Sequence, residues 1–365
     1  MDNGEDRVGG NVTETLGVKN MTKQPQVKKL SIGIVAYNEE KYLPDLLEDV
    51  KQQKYPHELT EILLIDSCST DHTRKIMEEF RAQNEDFYSV QVLDNPKKIQ
   101  AAGWNVAIQN FTGDALSRID AHTKLTPEYS QFVMEDLQAG EKVAGGIRPC
   151  LIENDTDWAE VLLQVENSLF GSSANSSRRS QEKTYVKSMF HATYCREVLD
   201  KVGFFNENLL RTEDNEFHYR IREAGYQLCY DPRIVSFQYA RCSLKQMVKQ
   251  KYANGNWIGL TFPVCPGCIS IYHLVPATFV LAIFVTTFLA KKGVWQFSAL
   301  MWSLYAMFAF VGTAKAVTQK GFKWQHLLMP ILFLLLHVAY GLGTLVGLLN
   351  IPKIRELKRS EESKK

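Results

Sequence analysis

The chain has 365 residues, and its 42 Lys and Arg nearly balance 41 Asp and Glu, for a formal net charge of +1. That balance argues against a nucleic-acid partner, and the length suffices for one large domain or two smaller ones. Seven cysteines, at 68, 150, 195, 229, 242, 265 and 268, show no disulfide-framework spacing and fit reduced thiols; the single Cys265-Pro266-Gly267-Cys268 run gives little reason for a zinc or redox site.

Residues 1–28 are polar, rich in Gly and Asn, and read as a disordered segment without the apolar core of a signal peptide. Strand patterns follow at 30–36, 61–66, 88–93 and 115–119, separated by helical patterns at 39–53, 71–82 and 99–109. This alternation predicts an α/β domain with a mostly parallel sheet covered by helices, whose ligands sit beyond the carboxyl ends of the strands. Polar stretches fall at those ends: Tyr37-Asn38-Glu39, Asp66 to Asp71, Asp94 to Lys98, and Asp120-Ala121-His122. A further helix starts at Thr126-Pro127, a strand covers 142–147, and 155–170 reads as helical. The basic loop 171–180 is either a surface linker or a lid that brings Arg178 and Arg179 to a diphosphate.

The last third of the chain changes character. Windows 252–290, 293–314 and 324–352 contain no Asp, Glu, Lys or Arg, and each holds an apolar core long enough to cross a bilayer. Candidate spans are 269–290, 295–317 and 327–349. Hydropathy favours three spans. The placement of Lys291, Lys292, Lys353, Arg355, Lys358 and Arg359 favours two plus an interfacial segment at 260–290, with Lys320 and Lys323 outside. A basic stretch at 241–251 is suited to anionic headgroups. Gly341, Gly343 and Gly347 lie inside an apolar segment and read as small residues for close helix packing.

Two acidic sites carry the chemistry. In an extended segment Asp120 and His122 point the same way and can face one divalent cation, Mn²⁺ somewhat better than Mg²⁺ because imidazole is a softer ligand; the same pair also fits a solvated strand end. Far downstream, Thr212-Glu213-Asp214-Asn215-Glu216 reads as the first turn of a helix with Thr212 as its cap. Either Asp214 or Glu213 can act as a base on an acceptor hydroxyl, and ordinary capping accounts for the run equally simply. At the earlier strand ends, Tyr37 can pack on a base, Glu39 can hold ribose hydroxyls, and Asp66 can accept from a nucleobase or ribose.

Taken in order, Val35-Ala36-Tyr37-Asn38-Glu39-Glu40, Ile65 to Thr73, Arg118-Ile119-Asp120-Ala121-His122 and Thr212-Glu213-Asp214 resemble the family-2 inverting glycosyltransferases of GT-A fold, over roughly residues 30–257. Within that family Asn95-Pro96-Lys97-Lys98, Arg118 to His122, Asn215 to Arg220 and His337 to Gly343 are similar to succinoglycan-type exopolysaccharide enzymes. The resemblance implies that Tyr37, Glu39 and Asp66 hold the nucleoside, usually uridine. It implies that Asp120, with His122, lies near the metal and diphosphate, that Asp214 is the base and that Glu213 orients the acceptor. Lys98, Arg178, Arg179 and Trp257 are further candidates for diphosphate or acceptor contacts. The implied organisation is a GT-A domain over 29–257, a membrane region over 258–352 and a basic tail over 353–365. The implied reaction moves a sugar from a nucleotide-sugar, UDP-linked by preference, to a saccharide on a polyprenyl diphosphate, giving a β-linkage in exopolysaccharide or capsule assembly. That places a multi-pass protein in the cell membrane among membrane lipids and other polysaccharide-assembly enzymes, its catalytic domain cytoplasmic.

Three features depart from the family pattern. His122 replaces the second acid of a strict DxD, and His72 stands where Gly is common. Gln250 to Trp257 lacks the Arg and the spacing of the Gln-x-x-Arg-Trp motif of processive synthases. A processive synthase and a silent nucleotide-binding scaffold are the alternative readings.

Overall fold

The computed structural model describes residues 27–153, 156–171, 180–239 and 243–362. Most of the expected N-terminal segment, and Arg178 and Arg179, lie outside the described residues. The first half alternates β1 (Leu30–Ala36), α1 (Leu43–Lys51), β2 (Thr60–Asp66), α2 (Thr73–Gln83), β3 (Ser89–Asp94), α3 (Gln100–Asn110) and β4 (Ala115–Asp120). These four strands pair in parallel in the order β3-β2-β1-β4. Every residue of β2 is buried, as expected for a strand covered on both faces. Helix α1 turns Leu43, Leu46, Leu47 and Val50 inward at helical spacing. Glu61 is buried in β2, where its carboxylate accepts from Ser31 Oγ, Ser89 Oγ, Gln91 Nε2 and both the N–H and the hydroxyl of Thr112. Those bonds tie β1, β2, β3 and the turn before β4 at the end of the sheet opposite the polar loops.

The second half is β5 (Thr123–Leu125), α4 (Tyr129–Gln138), β6 (Val143–Ile147), β7 (Cys150–Leu151), α5 (Asp157–Asn167), β8 (Thr184–Val186), β9 (Thr193–Cys195), α6 (Arg196–Val202), α7 (Glu213–Glu223) and β10 (Leu228–Tyr239). It extends the sheet as β4-β9-β6-β10-β5, with β9 antiparallel to both of its neighbours. Strand β10 carries Pro232, which the ladder tolerates because the register shifts between Asp231 and Val235.

Helices α8 (Leu244–Thr261), α9 (Val275–Lys291), α10 (Gln296–Lys320), α11 (Met329–Leu349) and α12 (Ile351–Glu362) complete the chain. Residues 244–251 of the basic stretch thus begin a longer helix. Segments Ile271–Lys291, Gln296–Lys320 and Trp324–Leu349 are long and apolar enough to cross a bilayer, and they associate the protein with a membrane. Their environments differ: 11% and 6% of the apolar windows of the first two are buried, against 44% for the third. The third is covered because α11 packs along α8. A Cβ at Gly255 or Gly259 would fall 2.0 or 2.2 Å from carbonyl oxygens of Tyr340 or Thr344. One at Gly343 or Gly347 would fall 2.2 or 2.1 Å from those of Tyr252 or Asn256. The glycines therefore serve close helix packing, as their spacing in the sequence suggests.

Both ends of α11 are bound to the α/β domain. Just before it, Lys323 pairs with Asp157 and Glu160 of α5, and His326 Nε2 meets Gln164 Oε1 at 2.8 Å. Just after it, Ile354 and Leu357 of α12 bury against Leu209 and Leu260. Cys265 and Cys268 form a disulfide, contrary to the expectation of reduced thiols throughout.

Candidate active site

Parallel register brings the polar loops to one edge. Ala36 pairs with Asp66, Asp66 with Asp94, and Val35 with Asp120, so the carboxyl ends of β1 to β4 align. Among the described residues, the non-glycine residues with left-handed backbone are Asn38, Cys68, Lys98 and His191. The first three lie in the loops after β1, β2 and β3, and His191 comes just before β9. Strained loops concentrated on one rim mark where backbone shape is held for a purpose other than stability.

Tyr37 is half exposed on this rim. Asp66 is buried, and its Oδ1 accepts from the Ser69 N–H at 3.0 Å. Glu39 Oε1 bonds His122 Nδ1 at 3.1 Å, and this bond, against burial, raises the His122 pKa. Strand β4 ends at Asp120, and the chain turns at Ala121-His122, so strand alternation does not orient these two side chains as the sequence reading supposes. Among the described residues no group of three or more His, Cys, Asp and Glu side chains is arranged to hold a metal.

Asp120 is held by three side chains. Gln100 Nε2 donates to Oδ1 at 2.8 Å, while His191 Nε2 and Arg148 Nη1 approach Oδ2 at 3.4 and 3.6 Å. Burial by itself raises an acid, but the His191 bond and the Arg118 and Arg148 charges hold Asp120 well below the usual carboxylate range. Burial lowers His191 to about 4, so it is neutral at pH 7, donates Nε2–H to Asp120 and accepts from Ser236 Oγ at Nδ1. Its contribution to Asp120 is therefore a bond, and the two arginines supply the charge.

The acidic run starts α7, as expected. Thr212 stands at the N-cap, but its hydroxyl pairs with Thr261 Oγ1 of α8 at 2.7 Å instead of capping the helix. Glu213 is buried with Oε2 unpartnered, and Asp214 accepts from the Asn215 N–H at 2.8 Å. Beneath them lies Arg118, buried, with Nε and Nη1 unpartnered and its guanidinium 5.5 Å from the Trp104 ring and 5.6 Å from that of Phe205. Burial and the Asp214 charge push Glu213 up to about 8. Burial raises Asp214 too, opposed by Arg118 and the Asn215 N–H. Burial therefore favours a proton on this adjacent pair, and the Arg118 charge opposes that rise at both carboxyls.

Residues 31–203 match the model of glycosyl transferase family 2. This region is a family-2 glycosyltransferase domain. Over 329 residues the chain is 27% identical to a dolichyl N-acetyl-α-D-glucosaminyl phosphate 3-β-D-2,3-diacetamido-2,3-dideoxy-β-D-glucuronosyltransferase of Methanococcus voltae, covering 88% of this chain and 97% of that one. It is 26% identical to the succinoglycan biosynthesis protein ExoA of Rhizobium meliloti, over 61% of this chain and 67% of that one. The fold is similar to that of a mannosyltransferase from Pyrobaculum calidifontis solved with GDP-Man and Mn²⁺, with a TM-score of 0.56 at 16% identity and 88% coverage of both chains. The glycosyltransferase thus has the GT-A architecture that its motifs suggest.

Of the residues singled out in the sequence, Glu39 and His122 bond each other, and Asp120, Glu213 and Asp214 share the field of Arg118. Lys98 is exposed on the rim in the left-handed region. Trp257 packs beside Leu209, Leu260, Ile354 and Leu357. Arg118, Arg148 and His191 escape sequence reasoning as site residues. Arg118 lies inside a strand, where an alternating pattern reads as fold, and only a charged residue in an otherwise apolar buried strand signals it.

Proposed function

We propose that this glycosyltransferase moves a sugar from a nucleotide-sugar, UDP-linked by preference, to a lipid-linked saccharide with inversion, giving a β-linkage. The observation that carries this reading is the pair Glu213 and Asp214 facing the buried Arg118, which also acts on Asp120 at the end of β4. In the proposed step Asp214 takes the proton of the acceptor hydroxyl as that oxygen bonds to the anomeric carbon and the bond from that carbon to the diphosphate oxygen breaks. Glu213, holding its proton, is a donor that orients the acceptor. Arg118 opposes the rise that burial imposes on Asp214 and so favours the ionised form, without forming a bond that the acceptor must displace. Tyr37 and Asp66 receive the nucleoside at the β1 and β2 ends.

A divalent cation suits this donor set. The Glu39 bond to His122 Nδ1 turns Nε2 into the available donor, as in carboxylate–histidine–metal arrangements, beside the ionised Asp120. Asp120 and His122 would hold Mn²⁺ or Mg²⁺, with diphosphate oxygens completing the shell. The ion would supply Lewis-acid neutralisation of the leaving diphosphate. The mannosyltransferase with the similar fold was solved with Mn²⁺. A lipid-linked acceptor is supported by the relative from Methanococcus voltae, whose name specifies a dolichyl phosphate sugar and whose similarity extends over 88% of this chain. Exopolysaccharide or capsule assembly is the setting that the succinoglycan relative supports.

For the membrane we propose two spans. Segments Ile271–Lys291 and Gln296–Lys320 are 21 and 25 residues long, about 31 and 37 Å, matching a hydrocarbon core of about 30 Å. They protrude as a hairpin with Lys291 and Lys292 at its tip, which belong in water beyond the far leaflet. Helix α11 does not cross. Polar α8 lines it, both its ends are bound to the α/β domain, and its exposed side chains Ile331, Leu335, Leu342, Val346 and Leu349 follow one stripe. It lies in the interface, with the catalytic domain on the cytoplasmic side. The ion pairs of Lys323 with Asp157 and Glu160 support placing the α10–α11 connection on the domain side rather than outside.

The deciding experiment incubates membranes containing the protein with a donor panel and native lipid-linked acceptors, with mass analysis of the products. Asp214→Asn is expected to lower kcat at least about 100-fold while nucleotide affinity stays within about twofold. Transfer at the parent rate by a folded Asp214→Asn protein would sink the assignment.

A further inference from the structure

A cavity of about 420 Å³ opens between the segment leading into α7 and the first half of α8, lined by Arg211, Gln246, Lys249, Gln250 and Ala253. The four α8 positions follow helical spacing and share one face. The opposite face carries Gly255 and Gly259 against α11. Two cations and two amides line the space, with no acidic side chain among the lining residues. Arg211 Nη1 donates to Asn254 Oδ1 at 3.1 Å, which fixes the guanidinium beside α8 with further N–H donors on Nε and Nη2.

We infer that this cavity binds the phosphate or diphosphate joining the acceptor saccharide to an isoprenoid lipid, an inference that rests on the lipid-linked acceptor proposed above. Three observations point there. First, the lining combines point charge, planar guanidinium and amide donors, the set that recognises phosphate oxygens. Second, α8 packs directly on α11, whose exposed apolar stripe is the part proposed to meet the membrane, so the cavity is carried on an element adjoining that surface. Third, Arg211 is followed directly by Thr212, Glu213 and Asp214, so an anchored phosphate delivers its sugar beside the acids. The donor diphosphate is served elsewhere: Tyr37, Glu39, Asp66 and Asp120 lie at or just beyond the carboxyl ends of β1, β2 and β4, and none of them lines this cavity.

The test uses the full chain purified in detergent. Binding of geranylgeranyl diphosphate is measured for the parent, for Arg211→Gln combined with Lys249→Gln, and for Lys249→Arg. Removing two charged donors is expected to weaken binding about tenfold or more. Lys249→Arg is expected to stay near the parent, and nucleotide affinity to stay unchanged in all three, which shows that the variants are folded. Geranylgeraniol, which lacks the diphosphate, is expected to bind all three alike. Equal affinity of the parent and the double variant for the diphosphate overturns the inference. Competition by phosphatidylglycerol vesicles at matched phosphate overturns it too, because the cavity then serves bulk headgroups. Failure of the transferase reading has a separate signature: isoprenoid diphosphate binding that depends on Arg211 and Lys249, in a protein that transfers no sugar, supports the cavity assignment and removes the proposed reaction.

Discussion

Glu213, Asp214 and Arg118 form a unit in which the cation opposes the rise that burial imposes on both acids. Replacing Arg118 by Gln removes the charge that opposes burial at Asp214, so the acid limb of the kcat/KM profile is expected to move to higher pH. An unmoved limb would show that Arg118 only fills space. Glu213 also links stability to pH. Its folded pKa, about 8, exceeds the ordinary 4.5, so the folded state keeps a proton that the unfolded chain has lost. That contribution is complete below about pH 4.5 and falls away as the pH rises toward 8. Glu213→Gln is expected to flatten this decline, and the difference in Tm between parent and variant across pH 5 to 8 measures it. The acids are legible in the sequence because they cluster. Arg148 and His191 are not, because they reach Asp120 from the segment after β6 and the loop before β9, and their meeting is a property of the sheet order; Arg118, two residues before Asp120 on β4, is hidden because its strand reads as fold.

Helix packing makes a sign prediction at the scale of elements. On propensity alone, Ala for Gly in a helix interior stabilises by about 1 kcal/mol. At Gly255 and Gly259 the added carbon falls on backbone carbonyls of α11, which cannot move aside as a side chain can. Overpacking of this kind costs about 1–3 kcal/mol, so Gly255→Ala and Gly259→Ala are expected to destabilise. Thermal unfolding in detergent checks the sign. Strands β1 to β4 are readable to within a residue or two, β1 and β2 as mostly apolar runs buried on both faces and β3 and β4 from alternation. Strand β10 goes unread: Pro232 interrupts its pattern, and only the register shift explains its presence. Helix α8 is seen only in its basic first half, since its second half resembles the start of a span until the glycines of α11 account for it.

At the scale of the molecule, hydropathy finds three apolar segments but not which of them meet lipid on all sides. That distinction depends on α8 and α5, whose packing on α11 no window of hydropathy registers. The two-span arrangement predicts that a cysteine at position 292 reacts with an impermeant maleimide from outside intact cells, while cysteines at 320 and 353 react only after permeabilisation. Labelling of position 353 from outside would restore three spans. The bond from Thr212 to Thr261 then acquires a wider meaning. It joins the helix bearing Asp214 to one that is locked, glycine against backbone, onto α11, the element proposed to lie in the membrane surface. In the proposed arrangement the base would work at a set altitude above the bilayer; a hydroxyl one sugar farther from the lipid would be carried past it, and the acceptor would be measured by height as well as by chemistry.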